Sequence, residues 1–227
     1  MKKLLELSNA SNAASQIDAG IRALPILKTA TARSIRRQYS QQLKQADPAF
    51  ILSLAKKLIE KHDQRWLAYE FIRNHQATFQ KLGEGELEEL GHGINSWDTT
   101  DAFARILAGP AWLNGQVTDD LIHKWAHSEN LWWRRAALVS TVALNKRSQG
   151  GKGDVARTIT VCSLLVSDQE DMVVKAMSWA LRELVVHDPE AVSEFLIEHE
   201  AELSARVKRE VRNKLKTGLK NPKWRSE

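Results

Sequence analysis

The sequence predicts an all-α protein, an α-solenoid in which stacked antiparallel helix pairs form a superhelix. Apolar residues recur every three or four positions in several segments, whereas no segment convincingly alternates apolar and polar residues between turns. Glycine (11 residues) and proline (5 residues) fall between these segments. A similar opening pattern recurs at intervals of ~30 to ~40 residues, a period typical of helical-pair repeats. A compact, non-repeating helical bundle is the alternative.

The periodic segments are expected to be helices, and turn residues mark their starts. Asp47-Pro48 combines a capping side chain with a helix-compatible proline before Ala49–Lys61. His187-Asp188-Pro189 repeats that pattern before Ala191–Glu200. Thr158–Val166 is rich in β-branched residues and therefore ambiguous, but helical patterns on both sides favour a helix.

The second helix of each predicted pair opens in a similar way, after a short polar turn. These openings are Asp63–Ala68, Asn95–Asp98, Glu129–Ala136, Asp171–Ala176 and Leu203–Lys208. Because one pair cannot bury its apolar face alone, successive pairs are expected to stack and to share a concave surface. We therefore expect one repeat domain over residues 1–227, in which the alanine- and serine-rich segment 1–25 is only partly ordered.

Composition excludes several classes of protein. The chain is 43% hydrophobic and 27% charged, an ordinary composition for a chain with a buried core. Its apolar runs are shorter than the ~20 residues that span a bilayer. A single cysteine, Cys162, cannot form an internal disulfide. The sequence thus favours a cytoplasmic protein without a membrane segment.

The net charge of +5 is unevenly distributed. No acidic residue lies between Lys28 and Lys44, and Glu210 is the single acid among the nine bases from Arg206 to Arg225. By contrast, the segment between Lys81 and Arg105 contains acids and no base. Two basic ends indicate a polyanion such as nucleic acid as the partner. The alternative is ordinary solvation of exposed helix faces.

Tryptophan is the compositional anomaly, with eight in 227 residues. Trp97 and Asp101 are one helical turn apart, so an indole and a carboxylate can project to one side. Arg135 and Trp179 lie in later second helices, so all four side chains can line the concave surface. The alternative is that each tryptophan is a core residue.

Other familiar sites are not indicated. His123 and His127 have a spacing that suits a metal, but a third ligand is not apparent, so packed or solvated histidines are favoured. The glycine-rich segment Asn145–Asp154 lacks the spacing of a phosphate-binding P-loop and is interpreted as a surface loop between helices. Its Lys152 can still reach a DNA phosphate.

Three segments resemble the AlkD-like DNA alkylation repair enzymes: Asn95–Asp101, Asn130–Leu138 and Val174–Glu183. The ending Pro189–Leu215 is similar too, so the resemblance extends from Asp47 to the C-terminus. It implies a HEAT-like repeat fold and a monofunctional glycosylase that removes N3- and N7-alkylated purines from duplex DNA. It also implies that the lesion stays stacked in the duplex, unlike the base that most such enzymes flip out. A monomer without cofactor or metal is expected.

The resemblance also implies roles for individual residues. Asp101 matches the catalytic carboxylate, and Trp97 and Trp179 match the two tryptophans at the deoxyribose of the lesion. Arg135 matches the active-site arginine, and a slip of one position would exchange it with Arg134. The predicted DNA-binding residues are Arg134, Trp133, Lys175, Arg182, Lys152, Arg209 and Arg212. The segment Gly20–Ile26 is only faintly similar to the family's opening, so its aromatic DNA contact is unassigned.

Two functions therefore follow from the sequence. The first is a base excision repair glycosylase acting on 3-methyladenine and 7-methylguanine, as the resemblance implies. The second is a non-catalytic HEAT-like module that binds DNA or a protein partner, since helical solenoids are commonly scaffolds. The pairing of Trp97 with Asp101 favours the enzyme, because a scaffold does not need it.

Overall fold

Helices form the framework of the described part of the chain, as the apolar periodicity predicts. The computed structural model describes residues 5, 9–24 and 29–222, and no β-strand occurs within them. Lys28, Lys223 and Arg225 of the predicted basic segments lie outside this part, as do Pro25 and Ile26. Within the same ranges, every helix is too short or too polar to cross a membrane.

The first of two units, Met1–His92, is built around α3. Its helices are α1 (Ala10–Arg22), α2 (Thr29–Leu43), α3 (Pro48–His62), α4 (Arg65–Asn74), α5 (Gln76–Phe79) and α6 (Glu84–Gly91). The Asp47 side chain accepts a hydrogen bond of 2.8 Å from the Ala49 N–H, which confirms the predicted start of α3. Helix α1 lies within the segment for which only partial order is expected, and it buries Ala13 and Ile17.

The second unit, Gly93–Glu227, contains the residues of the predicted active site. Its α-helices are α7 (Trp97–Phe103), α8 (Gly109–Leu113), α9 (Asp119–Ala126), α10 (Leu131–Asn145), α11 (Val155–Leu164), α12 (Asp171–Leu184), α13 (Pro189–Glu198) and α14 (Ala205–Thr217). A π-helical turn, Ala104–Ala108, joins α7 to α8 without a break, and a 3₁₀ turn, Arg147–Gln149, follows α10. The ambiguous segment Thr158–Val166 is helical as far as Leu164.

The five predicted openings all coincide with helix starts, those of α4, α7, α10, α12 and α14. Side-chain caps explain two of them: the Asn130 side chain accepts from the Trp132 N–H at 2.8 Å, and the Ser204 hydroxyl accepts from the Val207 N–H at 3.3 Å.

In the second unit α10 packs against both α7 and α12, and α12 packs against α14. The helices that open alike are thus successive neighbours in this unit. One repeat domain over the whole chain stays a prediction.

The loop after α10 is held firmly by its ends. Asn145 donates a hydrogen bond of 2.8 Å to the Thr158 hydroxyl and accepts one of 3.0 Å from the Asp154 N–H. A Cβ at Gly151 would collide with the Ala143 carbonyl, so only glycine fits there without a shift. These contacts position Gln149, which the loop places against the π-helical turn.

Candidate active site

The start of α7 determines where Trp97 and Asp101 project. The Thr99 hydroxyl accepts a hydrogen bond of 3.3 Å from the Ser96 N–H and bonds the Ser96 hydroxyl at 2.8 Å, which fixes the first turn. Thr100 and Phe103 are fully buried and anchor one face of the helix. Trp97 is 58% exposed, an unusual exposure for so large an apolar side chain.

Asp101 is held by a bidentate ion pair with Arg135 of α10. The Arg135 Nε donates to Oδ1 at 2.8 Å and its Nη2 donates to Oδ2 at 2.9 Å, while Nη1 donates to the Met172 carbonyl at 2.5 Å. Such a paired contact fixes the plane of the carboxylate as well as its position. Arg135 is only 6% exposed, so its geometry supports a role in orienting Asp101.

Burial gives Asp101 an unusual electrostatic environment. Its side chain is 15% exposed, and burial raises the pKa of its carboxyl above the ordinary value, against the lowering effects of Arg135 and Arg105. The neighbouring Asp98 is exposed, and hydrogen bonding, chiefly from Ser96, lowers its pKa. The two carboxylates of α7 are therefore distinct, and Asp101 is the one withdrawn from water.

Trp179 of α12 is half-buried, and contacts on two sides fix its ring. Its indole Nε1 donates a hydrogen bond of 2.9 Å to the Glu183 carboxylate one turn later. The Arg105 guanidinium lies over the ring, 5.4 Å from the centroid, within the range of a cation–π contact. Arg105 also acts electrostatically on Asp101, so the same side chain contacts Trp179 and influences the carboxylate.

Arg134 has a different environment from Arg135. Its Nε donates to the Asp168 carboxylate at 2.7 Å, and its Nη1 donates to the carbonyls of Ser128 and Glu129. These bonds secure the turn before α10 and the turn before α12. The structure thus pairs Asp101 with Arg135 and not with Arg134. The active-site role of Arg135 stays a prediction.

Trp133 lies in an aromatic cluster. Its ring centroid is 4.9 Å from that of Trp125 and 5.8 Å from that of Phe103, the latter in an edge-to-face arrangement. These contacts give the indole a packing role between α7, α9 and α10. Its predicted contact with DNA stays a prediction.

The other predicted DNA-binding cations differ in exposure and in ion pairing. Lys152 is an exposed loop residue, and Arg209 is exposed at 3.9 Å from Glu210. Lys175 pairs with Asp171 at 2.7 Å, and Arg212 pairs with Glu200. Arg182 donates to the Ser178 hydroxyl at 3.2 Å, and burial lowers its pKa.

Sequence reasoning missed three parts of this site. Arg105 follows Trp97 and Asp101 at a further interval of four, and that spacing could have found it. Glu183 lies four residues after the tryptophan that it fixes, a spacing that is equally visible in the sequence. The Met172 carbonyl is a backbone acceptor, for which a sequence contains no specific pattern.

The described residues form a helical framework without strands, in which a largely buried carboxylate bound by an arginine lies one helical turn after an exposed tryptophan. A family model described as "DNA alkylation repair enzyme" matches residues 1–215. The chain therefore belongs to the DNA alkylation repair enzyme family, as the sequence resemblance predicts.

Comparison with solved structures supports the fold. A predicted DNA alkylation repair enzyme from Enterococcus faecalis is similar with a TM-score of 0.67 and 16% sequence identity. The likeness covers 96% of this chain and 100% of that one. No curated protein matches the chain.

Proposed function

We propose that this chain is a monofunctional DNA glycosylase. It hydrolyses the N-glycosidic bond of cationic N3- and N7-alkylated purines, such as 3-methyladenine and 7-methylguanine, in duplex DNA. The observation that supports this most is the Asp101 carboxylate, held in one orientation by two hydrogen bonds from Arg135 and largely withdrawn from water. The product, an abasic site, then enters base excision repair.

The reaction suits this set of residues because the leaving base is already positively charged. When the bond between C1′ and the purine nitrogen breaks, its electron pair neutralises the base, so no general acid is required. Positive charge then builds up on the deoxyribose, and the ionised Asp101 carboxylate stabilises it. A water molecule oriented by that carboxylate adds to C1′ through an oxygen lone pair, and its excess proton passes to solvent.

The tryptophans stabilise the same transition state from the faces of their rings. Trp97 and Trp179 are assigned to the deoxyribose, where an indole face attracts a developing cation. The exposure of Trp97 and the fixed ring of Trp179 support this assignment. Two such contacts would add to the electrostatic effect of Asp101 without any proton transfer.

DNA binding in this proposal depends on the backbone and not on base sequence. Lys152 and Arg209, both exposed, are assigned to phosphates, as are Lys175, Arg182 and Arg212. Phosphate contacts position a protein without reading sequence, as a search for lesions requires.

We further propose that the helix pairs form a HEAT-like superhelix with a basic concave face. The packing of α7, α10, α12 and α14 as successive neighbours supports this.

The direct test is release of free base from methylated duplex DNA by the purified chain, in chelator and with enzyme in excess. We expect 3-methyladenine and 7-methylguanine to appear in solution, and abasic sites to remain in an uncut strand until alkali is added. Binding without release would identify a non-catalytic DNA-binding module instead. A requirement for added metal would contradict the mechanism.

The pH dependence of the single-turnover rate provides a second test. Asp101 acts as the carboxylate, so the rate falls as pH decreases through its pKa. Because burial raises that pKa, the acid limb is expected above the value of ~3.9 typical of an exposed aspartate. Above the limb the rate is expected to be flat, since no general acid loses its proton. An acid limb below the ordinary value would indicate Asp98 instead, since its pKa is lowered.

A further inference from the structure

Arg105 is in an unusual position beside the candidate active site. It belongs to the π-helical turn Ala104–Ala108, one turn after Asp101, and its guanidinium lies 5.4 Å from the Trp179 ring centroid. Such turns are rare and frequently occur at functional sites. Its backbone carbonyl accepts a hydrogen bond of 3.1 Å from the Gln149 side chain, which secures the irregular turn.

Arg105 forms no ion pair with a carboxylate within the described ranges, although it is near enough to Asp101 to act on it electrostatically. Its Nε is buried without a hydrogen-bond partner, and no ion pair or side-chain hydrogen bond is formed by its guanidinium there. Arg134 and Arg135, by comparison, each bind an aspartate at 2.7 and 2.8 Å. A buried donor without a partner is uncommon enough to need a reason.

The positive charge of Arg105 is unfavourable for the proposed reaction as long as it has no ion-pair partner. Arg105 is close enough to Asp101 to lower its pKa, so it is also close to where positive charge develops on the sugar. A cation there opposes that charge unless an anion neutralises it. Duplex DNA brings such an anion with every nucleotide, its phosphate. The cation–π contact with Trp179 gives the guanidinium no hydrogen-bond acceptor, so its N–H donors remain available for a phosphate.

We propose that Arg105 binds a backbone phosphate beside the lesion nucleotide, while Arg135 holds Asp101. This inference deepens the glycosylase function proposed above and depends on it for the position of the phosphate. It divides the two tasks between two arginines. Arg135 is buried and donates three hydrogen bonds to Asp101 and Met172, whereas the guanidinium of Arg105 donates none within the described residues.

The first experiment compares Arg105→Gln with Arg157→Gln, a matched control. Arg157 also lies over a tryptophan, 4.9 Å from the Trp112 ring centroid, but it is paired with Asp154 at 2.7 Å. Both variants thus lose one charge and one cation–π contact. Affinity for undamaged duplex is measured across a range of salt, with thermal unfolding to verify that each variant is folded.

We expect Arg105→Gln to weaken binding by roughly tenfold, the effect of losing one charge-assisted hydrogen bond. It should also reduce the slope of log affinity against log salt by about one unit. Arg105→Lys should keep that slope, and Arg157→Gln should leave both quantities close to the wild-type values. In single-turnover assays Arg105→Gln should raise the enzyme concentration for half-saturation while the maximal rate changes by a few-fold at most.

The second experiment locates the phosphate. The duplex contains a cationic pyrrolidine in place of the lesion deoxyribose, and single flanking phosphates are replaced by neutral methylphosphonates. At one position the replacement should weaken wild-type binding by roughly tenfold. At that position it should have little further effect on Arg105→Gln, whereas Arg157→Gln should respond as the wild type does.

Two results would overturn the inference. One is an unchanged salt slope in Arg105→Gln together with additive effects at every methylphosphonate position. The other is a collapse of the maximal rate at unchanged half-saturation, which would place Arg105 in the chemical step. Failure of the glycosylase proposal is recognised separately, because the wild type would then release no base. The salt slopes on undamaged duplex would still test the phosphate contact.

Discussion

Replacement of Asp101 with asparagine is expected to lower the single-turnover rate of base release by about 100-fold or more. The amide keeps the shape of the side chain but removes the negative charge that stabilises the sugar cation. Loss of one such preorganised group typically has an effect of this size. The measurement is single-turnover release of 7-methylguanine from a defined duplex, with enzyme well above the concentration for half-saturation.

Two controls separate this effect from unfolding and from misassignment. Asp101→Asn leaves the buried Arg135 without its charge partner, so thermal unfolding must show that the variant is folded at the assay temperature. Duplex binding should survive, because a negative charge that repels phosphates has been removed. The matched variant is Asp98→Asn on the same helix, which should keep nearly full activity. The reverse pattern would make Asp98 the catalytic carboxylate.

The charge of the leaving base is expected to decide which lesions are removed. Duplexes containing 7-methylguanine or 3-methyladenine should release their base, whereas uracil, hypoxanthine and 8-oxoguanine should be released at least about 100-fold more slowly. Departure of these neutral bases requires protonation or stabilisation of an anion, and general acid catalysis typically contributes a factor of this size. Single-turnover assays on otherwise identical oligonucleotides provide the comparison.

The control for this prediction is the affinity of the Asp101→Asn variant for each lesion-containing duplex, measured before any base is released. Equal binding with unequal release would assign the selectivity to the chemical step. Efficient excision of uracil or hypoxanthine would contradict a mechanism without a general acid. In that case the carboxyl group beside Trp179, that of Glu183, would be the next residue to replace.

Much of the helical framework follows from the sequence alone. Capping residues such as Asp47, Asn130 and Ser204 mark helix starts because their side chains accept hydrogen bonds from the free N–H groups of the first turn. All five repeated openings begin helices because apolar periodicity follows each of them, and in α10 and α14 a side-chain cap also marks the start. The glycosylase assignment, however, came from resemblance, since no pattern of residue types by itself specifies the reaction.

The contacts within the site were less accessible to sequence reasoning. Adjacent arginines such as Arg134 and Arg135 have the same chemistry, and only the rotation of α10 decides which one meets Asp101. The spacing from Asp101 could have indicated Arg105, but the π-helical turn has no distinctive residue pattern, so the position of the guanidinium over the Trp179 ring could not be predicted. Trp133 is predicted to contact DNA through the family resemblance, and the sequence does not show that its indole packs on Trp125.

The π-helical turn also bears on how this site tolerates insertion and deletion. A turn of this kind accommodates one more residue than an α-helix would over the same length. Upstream of it, α7 presents Asp101 to Arg135; downstream, α8 buries Trp112, whose indole donates to Asp119 at 2.7 Å. Because the extra residue is accommodated within the turn, its removal would restore a regular α-helical turn, whereas removal of a residue elsewhere in the helix would rotate one end by about 100° relative to the other. The π-helical turn therefore lets Asp101 face Arg135 and Trp112 face Asp119 from one continuous helix.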